Sequence, residues 1–214
     1  PSVAAGVVAG VGPGVSAFRT GERVQVYHHI PCRSCGYCAR RLYAQCPGYK
    51  RTGVGAGFEP AGGGFAEYVR VAPWIVAGGG VTRVPDGATL DAATFLEPVN
   101  TCLKCVRVAA VRPGGRVVLF AHTKLDDPVT LDAGQVCYLE KAVVGAYSAD
   151  ADLNDEVADL VFSGRLRVDD LVTDRLDLED AVRAFDLARS PREGSLKVLL
   201  TTGFAAGAPD GGGR

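Results

Sequence analysis

Four cysteines lie within fifteen positions of this 214-residue chain, in the segment IPCRSCGYCARRLYAQCPG. They are Cys32, Cys35, Cys38 and Cys46, at the spacing C-x2-C-x2-C-x7-C. Thiolates are soft ligands, and short C-x2-C steps let one loop wrap around a single ion. Because four protein sulfurs fill the tetrahedron that zinc prefers, the spacing predicts a closed zinc site with a structural role.

Two other uses of this cysteine set stay open. Bacterial ferredoxins hold iron–sulfur clusters with C-x2-C-x2-C-x3-C-P, and here Pro47 follows Cys46. The final gap is seven residues instead of three, however, and the sequence has no second set of clustered cysteines for a partner cluster. A disulfide framework would need an oxidising compartment, which nothing in the sequence indicates. The pattern therefore favours zinc.

The composition is that of an ordinary globular protein. Hydrophobic residues make up 47% and charged residues 22%, and the formal net charge is −1. Because there is no broad positive field, we expect neither a nucleic-acid partner nor binding to an anionic membrane. The apolar runs are shorter than the roughly 18 residues that a membrane helix needs. Clustered cysteines suited to a metal indicate a reducing compartment, which predicts a cytoplasmic location.

The first hundred residues are predicted to be mainly β structure. Short apolar or alternating runs at 3–11, 22–29 and 65–76 read as strands separated by Gly/Pro turns. From residue 90 the apolar period becomes helical. Within 90–111, the side chains predicted to share a helix face are Leu96, Val99, Leu103 and Val106.

The second half alternates strand and helix patterns. The apolar runs at 116–120 and 142–147 predict strands buried on both faces. A helix is predicted from Asn154 to a stop at Gly164, with Val157, Leu160 and Val161 on its inner face. A second helix is predicted over 178–189, capped by Asp177, with Val182 and Phe185 pointing inward, and a strand follows at 196–200.

The order of these motifs resembles one enzyme family. The segments AAGVVAGVGPGV, GERV, the cysteine cluster, GGFAEYV, RVPDG and FLEP follow one another as in the zinc-dependent medium-chain dehydrogenase/reductases of the alcohol dehydrogenase superfamily, particularly the sorbitol/threonine dehydrogenase-like branch. The segment from RPGGRVVLF to SLKVLL is similar to the C-terminal third of the proteins in that family. The resemblance implies a GroES-like β-barrel with a structural zinc lobe, a Rossmann coenzyme domain and a catalytic zinc.

The resemblance also gives expected domain boundaries. Residues 1–98 are expected to form the GroES-like catalytic domain, with the zinc lobe at 30–48. Residues 99–148 would be a remnant of the dinucleotide-binding domain, and 149–203 would return to the catalytic domain. Residues 204–214 are expected to be a disordered tail. The predicted fold class is α/β with a β-rich N-terminal part and a shortened Rossmann remnant.

The coenzyme fingerprint of the family is not found in this sequence. A Rossmann domain places G-x-G-x-x-G at a helix N-terminus, where it receives the pyrophosphate. The glycine runs at 10–14 and 53–57 lack the third glycine and are predicted to be turns. We therefore expect roughly 100 residues of the doubly wound sheet to be missing. Residues that bind NAD or NADP stay unknown.

The catalytic zinc of the family has one matching ligand position. Glu97, in FLEP, resembles the carboxylate that the sorbitol-type branch uses. Pro1-Ser2-Val3 stand where the family has Gly-His-Glu, so further ligands are not expected there. The alternative for Glu97 is a carboxylate in the first turn of a helix, facing the helix dipole.

The expected function follows from the resemblance. Enzymes of the zinc-dependent medium-chain dehydrogenase/reductase family oxidise a secondary alcohol, such as a polyol, and pass a hydride to NAD(P). The resemblance also implies that the protein forms a homo-oligomer. With the coenzyme segment missing, we expect this chemistry to be impaired in the chain by itself. The alternatives are a non-catalytic, zinc-stabilised binding or assembly module, and a deletion product without function.

Overall fold

The computed structural model describes residues 3–27, 29–49, 64–109, 116–120 and 126–203. The glycine run at 53–57 and the expected tail at 204–214 therefore lie outside the described residues. Two compact units are found: the first comprises 1–30, 50–95 and 159–214, and the second comprises 31–49 and 96–158. The predicted boundaries at residues 98 and 148 divide the chain differently and stay a prediction.

The described residues contain seven strands and seven α-helices. In chain order they are β1 (Val3–Val7), β2 (Arg23–Tyr27), α1 (Gly36–Ala39), α2 (Pro73–Ala77), β3 (Val81–Arg83), α3 (Leu90–Ala93), α4 (Leu96–Ala109), β4 (Arg116–Phe120), α5 (Ala133–Tyr138), β5 (Ala142–Ala146), α6 (Asn154–Phe162), β6 (Val172–Asp177), α7 (Ala181–Arg189) and β7 (Lys197–Thr201). Short 3-10 turns lie at Tyr43–Gln45, Ala151–Leu153, Asp169–Leu171 and Leu178–Asp180. The mixed α/β fold class is confirmed. No helix among the described residues is long and apolar enough to cross a membrane.

The N-terminal strands of the first unit form an antiparallel sheet in the order β1–β2–β3. Val7 pairs with Arg23, and Val26 pairs with Val81. The predicted strands at 3–11 and 22–29 are thus confirmed over Val3–Val7 and Arg23–Tyr27. Over the described residues the sheet has three strands and does not close into a barrel.

The predicted strand at 65–76 is wrong. Residues 64–72 have no regular structure, and Pro73–Ala77 form the helix α2. Proline suits the first position of a helix, because its φ is already near the helical value and its missing N–H has no partner to lose there. Ile75 of α2 is fully buried and packs with Val26 of the sheet.

The C-terminal part of the first unit is a parallel pair, β6 and β7, connected through α7. The predicted inner face of α7 is wrong, since Val182 is 77% and Phe185 54% exposed, whereas Ala184 is buried. Residues Leu178–Asp180 form a 3-10 turn, whose period of three shifts the phase of the helix that follows. Asp177 precedes this turn and makes no side-chain cap.

Hydrogen bonds connect distant segments within the first unit. The Thr89 hydroxyl donates to the Asp169 carboxylate at 2.7 Å, and Arg175 of β6 forms an ion pair of 2.6 Å with Asp91 of α3. Thr89 also caps α3, because its hydroxyl accepts the Ala92 N–H at 2.9 Å. These contacts hold segments that are some 80 residues apart in the sequence.

The second unit contains a parallel pair, β4 and β5, in which Arg116 pairs with Ala142 and Phe120 with Ala146. Both strands were expected to be buried on both faces, which is wrong for β4 and holds in β5 only at Ala146. Leu119 is 42% and Phe120 41% exposed. Within the described residues β4 pairs with β5 alone, so it lacks the neighbours that bury a central strand.

The helices predicted from residue 90 onward are observed, but their boundaries and buried faces differ in part from the prediction. The pattern at 90–111 divides into α3 and α4. Leu96 is buried as expected, but Val106 is 62% exposed. Helix α6 agrees well with the prediction: Val157 and Val161 are buried, and Gly164 follows with φ +73, a left-handed conformation typical of helix ends.

Candidate metal centre

The cysteine lobe, residues 31–49, is built from one short helix and one turn. Cys35 is the N-cap residue of α1 and Cys38 lies inside that helix. Cys46 follows the 3-10 turn Tyr43–Gln45. The helical geometry of α1 places Cys35 and Cys38 on one face, and the turn returns Cys46 towards Cys32.

The four sulfur atoms lie together. All Sγ atoms of Cys32, Cys35, Cys38 and Cys46 are within 4.8 Å of one another. The Cys35–Cys38 separation is 3.6 Å and the Cys32–Cys38 separation is 3.9 Å. Zinc–sulfur bonds of about 2.3 Å in a tetrahedron place neighbouring sulfurs about 3.8 Å apart. The donor set therefore fits a single zinc ion.

The alternatives fit this geometry less well. All four cysteines are free thiols, and the sulfur separations are far longer than a disulfide bond of about 2.05 Å. An iron–sulfur cluster places several iron and sulfide atoms between its thiolates and would hold them further apart. The cysteine cluster can hold zinc.

Backbone groups help to close the loop. The Cys32 N–H donates to Cys46 Sγ at 3.3 Å. A Cβ at Gly48 would lie 3.3 Å from Cys32 Cβ and 3.7 Å from Cys46 Sγ, so a larger residue would crowd the sulfur cluster. Arg33 and Arg41 have φ values of +56 and +57, which turn the chain sharply on either side of α1.

The thiols differ in their readiness to ionise. Hydrogen bonds from the hydroxyl and backbone N–H of Ser34 lower the pKa of Cys32 to about 5. Burial, together with hydrogen bonds to the Cys35 and Cys46 thiols, raises the pKa of Cys38 to about 12. A metal ion that binds all four sulfurs must displace the proton of Cys38, so binding releases protons.

A small core packs beneath the cluster. Cys38 and Cys46 are buried together with Tyr43, Tyr49 and Ala151. The Tyr49 hydroxyl donates to the Ala149 carbonyl at 3.1 Å. Burial, followed by the hydrogen bond to Asp152, raises the pKa of Tyr43. The sequence pattern did not reveal these tyrosines, whose only signal is that both lie within or next to the cysteine segment.

Glu97 lies apart from the sulfur cluster. It is in the first turn of α4, and its Oε1 accepts a hydrogen bond from Thr101 at 3.1 Å. Among the described residues it belongs to no group of three or more candidate metal ligands. Its role as a ligand of a catalytic zinc stays a prediction.

Comparison with known protein families identifies the N-terminal part. The alcohol dehydrogenase GroES-like domain matches residues 3–78. The D-xylulose reductase A of Aspergillus niger is 29% identical over 144 residues, which are 67% of this chain and 35% of that protein. The sorbitol dehydrogenase of Bacillus subtilis (strain 168) is 25% identical over 115 residues, 54% of this chain and 30% of that protein. The chain thus spans about a third of the length of these relatives.

Solved structures share the fold. The short chain alcohol dehydrogenase of E. coli CFT073, complexed with NADH, has a TM-score of 0.75 at 16% identity, over 92% of this chain and 82% of that one. The cobalt- and zinc-bound thermostable alcohol dehydrogenase of Pyrobaculum aerophilum has a TM-score of 0.65 at 18% identity, over 92% and 80%. The domain match, the polyol dehydrogenase relatives and the shared fold confirm the predicted resemblance. Residues 3–78 thus carry an alcohol dehydrogenase GroES-like domain, and the chain is similar in sequence to polyol dehydrogenases and in fold to zinc-binding alcohol dehydrogenases.

Proposed function

We propose that this chain is a zinc-stabilised part of a secondary-alcohol or polyol dehydrogenase, in which Cys32, Cys35, Cys38 and Cys46 hold one structural zinc ion. The observation that supports the proposal is the convergence of four sulfurs within 4.8 Å at near-tetrahedral separations. All four ligand positions are filled by protein, which leaves no place for a substrate at this ion.

The lobe has little regular structure with which to hold its own shape. Residues 31–49 contain a four-residue helix and a three-residue turn. A structural zinc ion supplies folding free energy, about 10–16 kcal/mol in isolated zinc-finger peptides. In this lobe the cysteines would tie both of its ends to one point, while Tyr43 and Tyr49 exclude water from the inner side.

The reaction class is proposed from the relatives. Xylulose reductase and sorbitol dehydrogenase are named for polyol chemistry, which supports a small alcohol or polyol as substrate and a nicotinamide as hydride acceptor. A catalytic zinc ion at Glu97 would need ligands from outside the described residues, since no group of three forms around it there. The proposal for the chain alone is therefore structural, with catalysis belonging to a larger assembly that includes a dinucleotide site.

A non-catalytic, zinc-stabilised module is the second candidate. It is favoured by the surroundings of Glu97, whose carboxylate already accepts a hydrogen bond within its own helix. Homo-oligomer formation and a cytoplasmic location stay predictions for both candidates.

Two measurements separate these functions. Metal analysis of the purified chain is expected to give one zinc per chain, and a chain that folds without retaining metal would overturn the structural site. Fluorescence titration of the zinc-loaded chain with NADH and NADPH then tests the coenzyme site. Absence of binding to a folded chain would support the module, whereas saturable binding would favour the enzyme and justify a screen of secondary alcohols.

A further inference from the structure

Three side chains of the cysteine lobe converge on a carboxylate that is remote in the sequence. The Tyr43 hydroxyl donates to Asp152 and lies 2.9 Å from each of its two oxygens. Arg33 and Arg41 approach the same carboxylate at 3.7 and 3.6 Å. More than 100 residues separate Tyr43 from Asp152 along the chain, so this contact is a property of the folded unit.

These contacts differ in strength. The arginine side chains are 58% and 81% exposed, and ion pairs of this kind contribute little in water. Tyr43, in contrast, is buried, with 6% of its surface exposed. A buried hydroxyl that loses its acceptor keeps the full penalty of its desolvation. The Tyr43–Asp152 hydrogen bond is therefore the principal contact, with the arginines adding charge complementarity.

Asp152 is itself held on a fixed support. It lies in the 3-10 turn Ala151–Leu153, whose first and last residues are buried. Its N–H donates to the Asp150 carboxylate at 2.9 Å. The Asp150 N–H in turn donates to the buried Asn100 side chain at 2.7 Å. The backbone that carries the Asp152 carboxylate is thus held by contacts that do not involve the lobe.

The lobe residues that meet Asp152 adjoin the metal ligands. Arg33 follows Cys32 directly, and Arg33 and Arg41 occupy the two left-handed turns around α1. Tyr43 shares the buried core with Cys38 and Cys46. Contacts that fix these residues therefore act on the same short loop that carries the four sulfurs.

We propose that Asp152 is a positioning residue for the metal site: by holding Tyr43, Arg33 and Arg41 it preorganises the cysteine lobe and sets its affinity for zinc. The inference rests on the structural zinc site proposed above. Groups outside the ligand shell of a metal commonly change its affinity by about 10–100-fold when they are removed. Because Asp152 acts through the loop and touches no sulfur, we expect the lower end of that range.

The test compares zinc affinity in four forms of the full chain, by competition with a chromophoric chelator. Asp152→Ala removes the acceptor and the charge and should weaken zinc binding about tenfold relative to the wild type. Asp152→Asn retains an acceptor for the Tyr43 hydroxyl and should lose less zinc affinity than Asp152→Ala. Asp155→Asn removes an exposed carboxylate three residues further on, in the first turn of α6, and should bind zinc like the wild type.

A second readout distinguishes positioning from a general loss of stability. Urea unfolding of each form, with and without zinc, gives the stabilisation that zinc adds. A positioning role predicts that this zinc-dependent increment shrinks in Asp152→Ala while the metal-free stability changes less. If Asp152→Ala does not fold, Tyr43→Phe carries the same comparison, because it removes only the hydroxyl that donates to Asp152.

The outcomes separate the two proposals. A wild-type chain that binds no zinc would overturn the metal site itself. A wild type that binds zinc, with the Asp152 variants equal to it in affinity and in the zinc-dependent increment, would overturn the role of Asp152 alone. The role of Asp152 would also be overturned if Asp155→Asn weakened zinc binding as much as Asp152→Ala.

Discussion

The Asn100 side chain bonds both backbone groups of Asp150. Its Oδ1 accepts the Asp150 N–H at 2.7 Å, and its Nδ2 donates to the Asp150 carbonyl at 2.9 Å. Nδ2 also donates to Asn154 Oδ1 at 2.8 Å. Asn100 is 1% exposed, so the amide acts as a buried clamp between α4 and the segment that precedes α6.

Asn100→Ala should be strongly destabilising. It leaves the N–H and the carbonyl of Asp150 without this partner, and we expect the free energy of unfolding to fall by roughly 2–4 kcal/mol. Asn154→Ala is the matched control, because it leaves the two hydrogen bonds between Asn100 and Asp150 in place. It should lower the free energy of unfolding by less than Asn100→Ala does. Equal losses in urea unfolding for the two variants would contradict the clamp.

Zinc retention should depend on Cys35 and not on Cys137. Cys35→Ser removes one of the four sulfurs, and the hard hydroxyl is a poor replacement for a thiolate. Cys137 is an exposed cysteine of α5 outside the cluster, so Cys137→Ser should keep the metal. Metal analysis after gel filtration checks both; a Cys35→Ser chain that still carried a full equivalent of zinc would argue against the four-cysteine site.

Asp174 should make stability depend on acid pH. Hydrogen bonds from Arg192, Thr173 and Ser195 hold the pKa of this buried carboxyl at about 2. Because the folded pKa lies below the unfolded value near 3.9, the stabilisation is fully present above about pH 5 and is lost as the pH falls towards about 2.

The comparison with Asp174→Asn isolates this effect. Near neutral pH the variant should unfold at lower urea than the wild type, and the difference should close between about pH 5 and pH 2. Asp186→Asn, which removes an exposed carboxylate of α7, controls for the change in net charge. A difference that stayed constant over this range would show that the charge of Asp174 does not stabilise the fold.

Gly80 should not tolerate a side chain. A Cβ at this position would meet the Tyr27 carbonyl oxygen and lie 2.6 Å from Ile75 Cγ2. The glycine joins α2 to the sheet through hydrogen bonds of 2.8 Å to the Ile75 carbonyl and 2.7 Å from the Tyr27 N–H. Gly80→Ala should cost about 1–3 kcal/mol through overpacking.

Gly87→Ala is the control for that substitution, because a Cβ there meets no atom within 4 Å. Thermal unfolding of the two variants is sufficient to compare them. If the Gly80→Ala and Gly87→Ala proteins had the same melting temperature, the close approach at Gly80 would be disproved.

The sequence by itself determined the local features of this protein. The spacing of four cysteines over fifteen positions indicated a loop around one ion, and that loop brings their sulfurs within 4.8 Å. The strands β1, β2, β5 and β7 and the helix α6 followed from their apolar periods and from Gly164. The order of motifs indicated the family. All of these signals depend on residues close together in the chain, where spacing alone restricts geometry.

Only the tertiary structure decided which side chains meet from distant segments. Asp152 and Asn100 carry no local signal, because an aspartate or asparagine near a helix start reads as an ordinary cap. Their roles arise from partners about 109 and 50 residues away. The burial of β4 was mispredicted for the same reason: an apolar run indicates a strand, but the neighbours present in the fold decide whether its faces are buried.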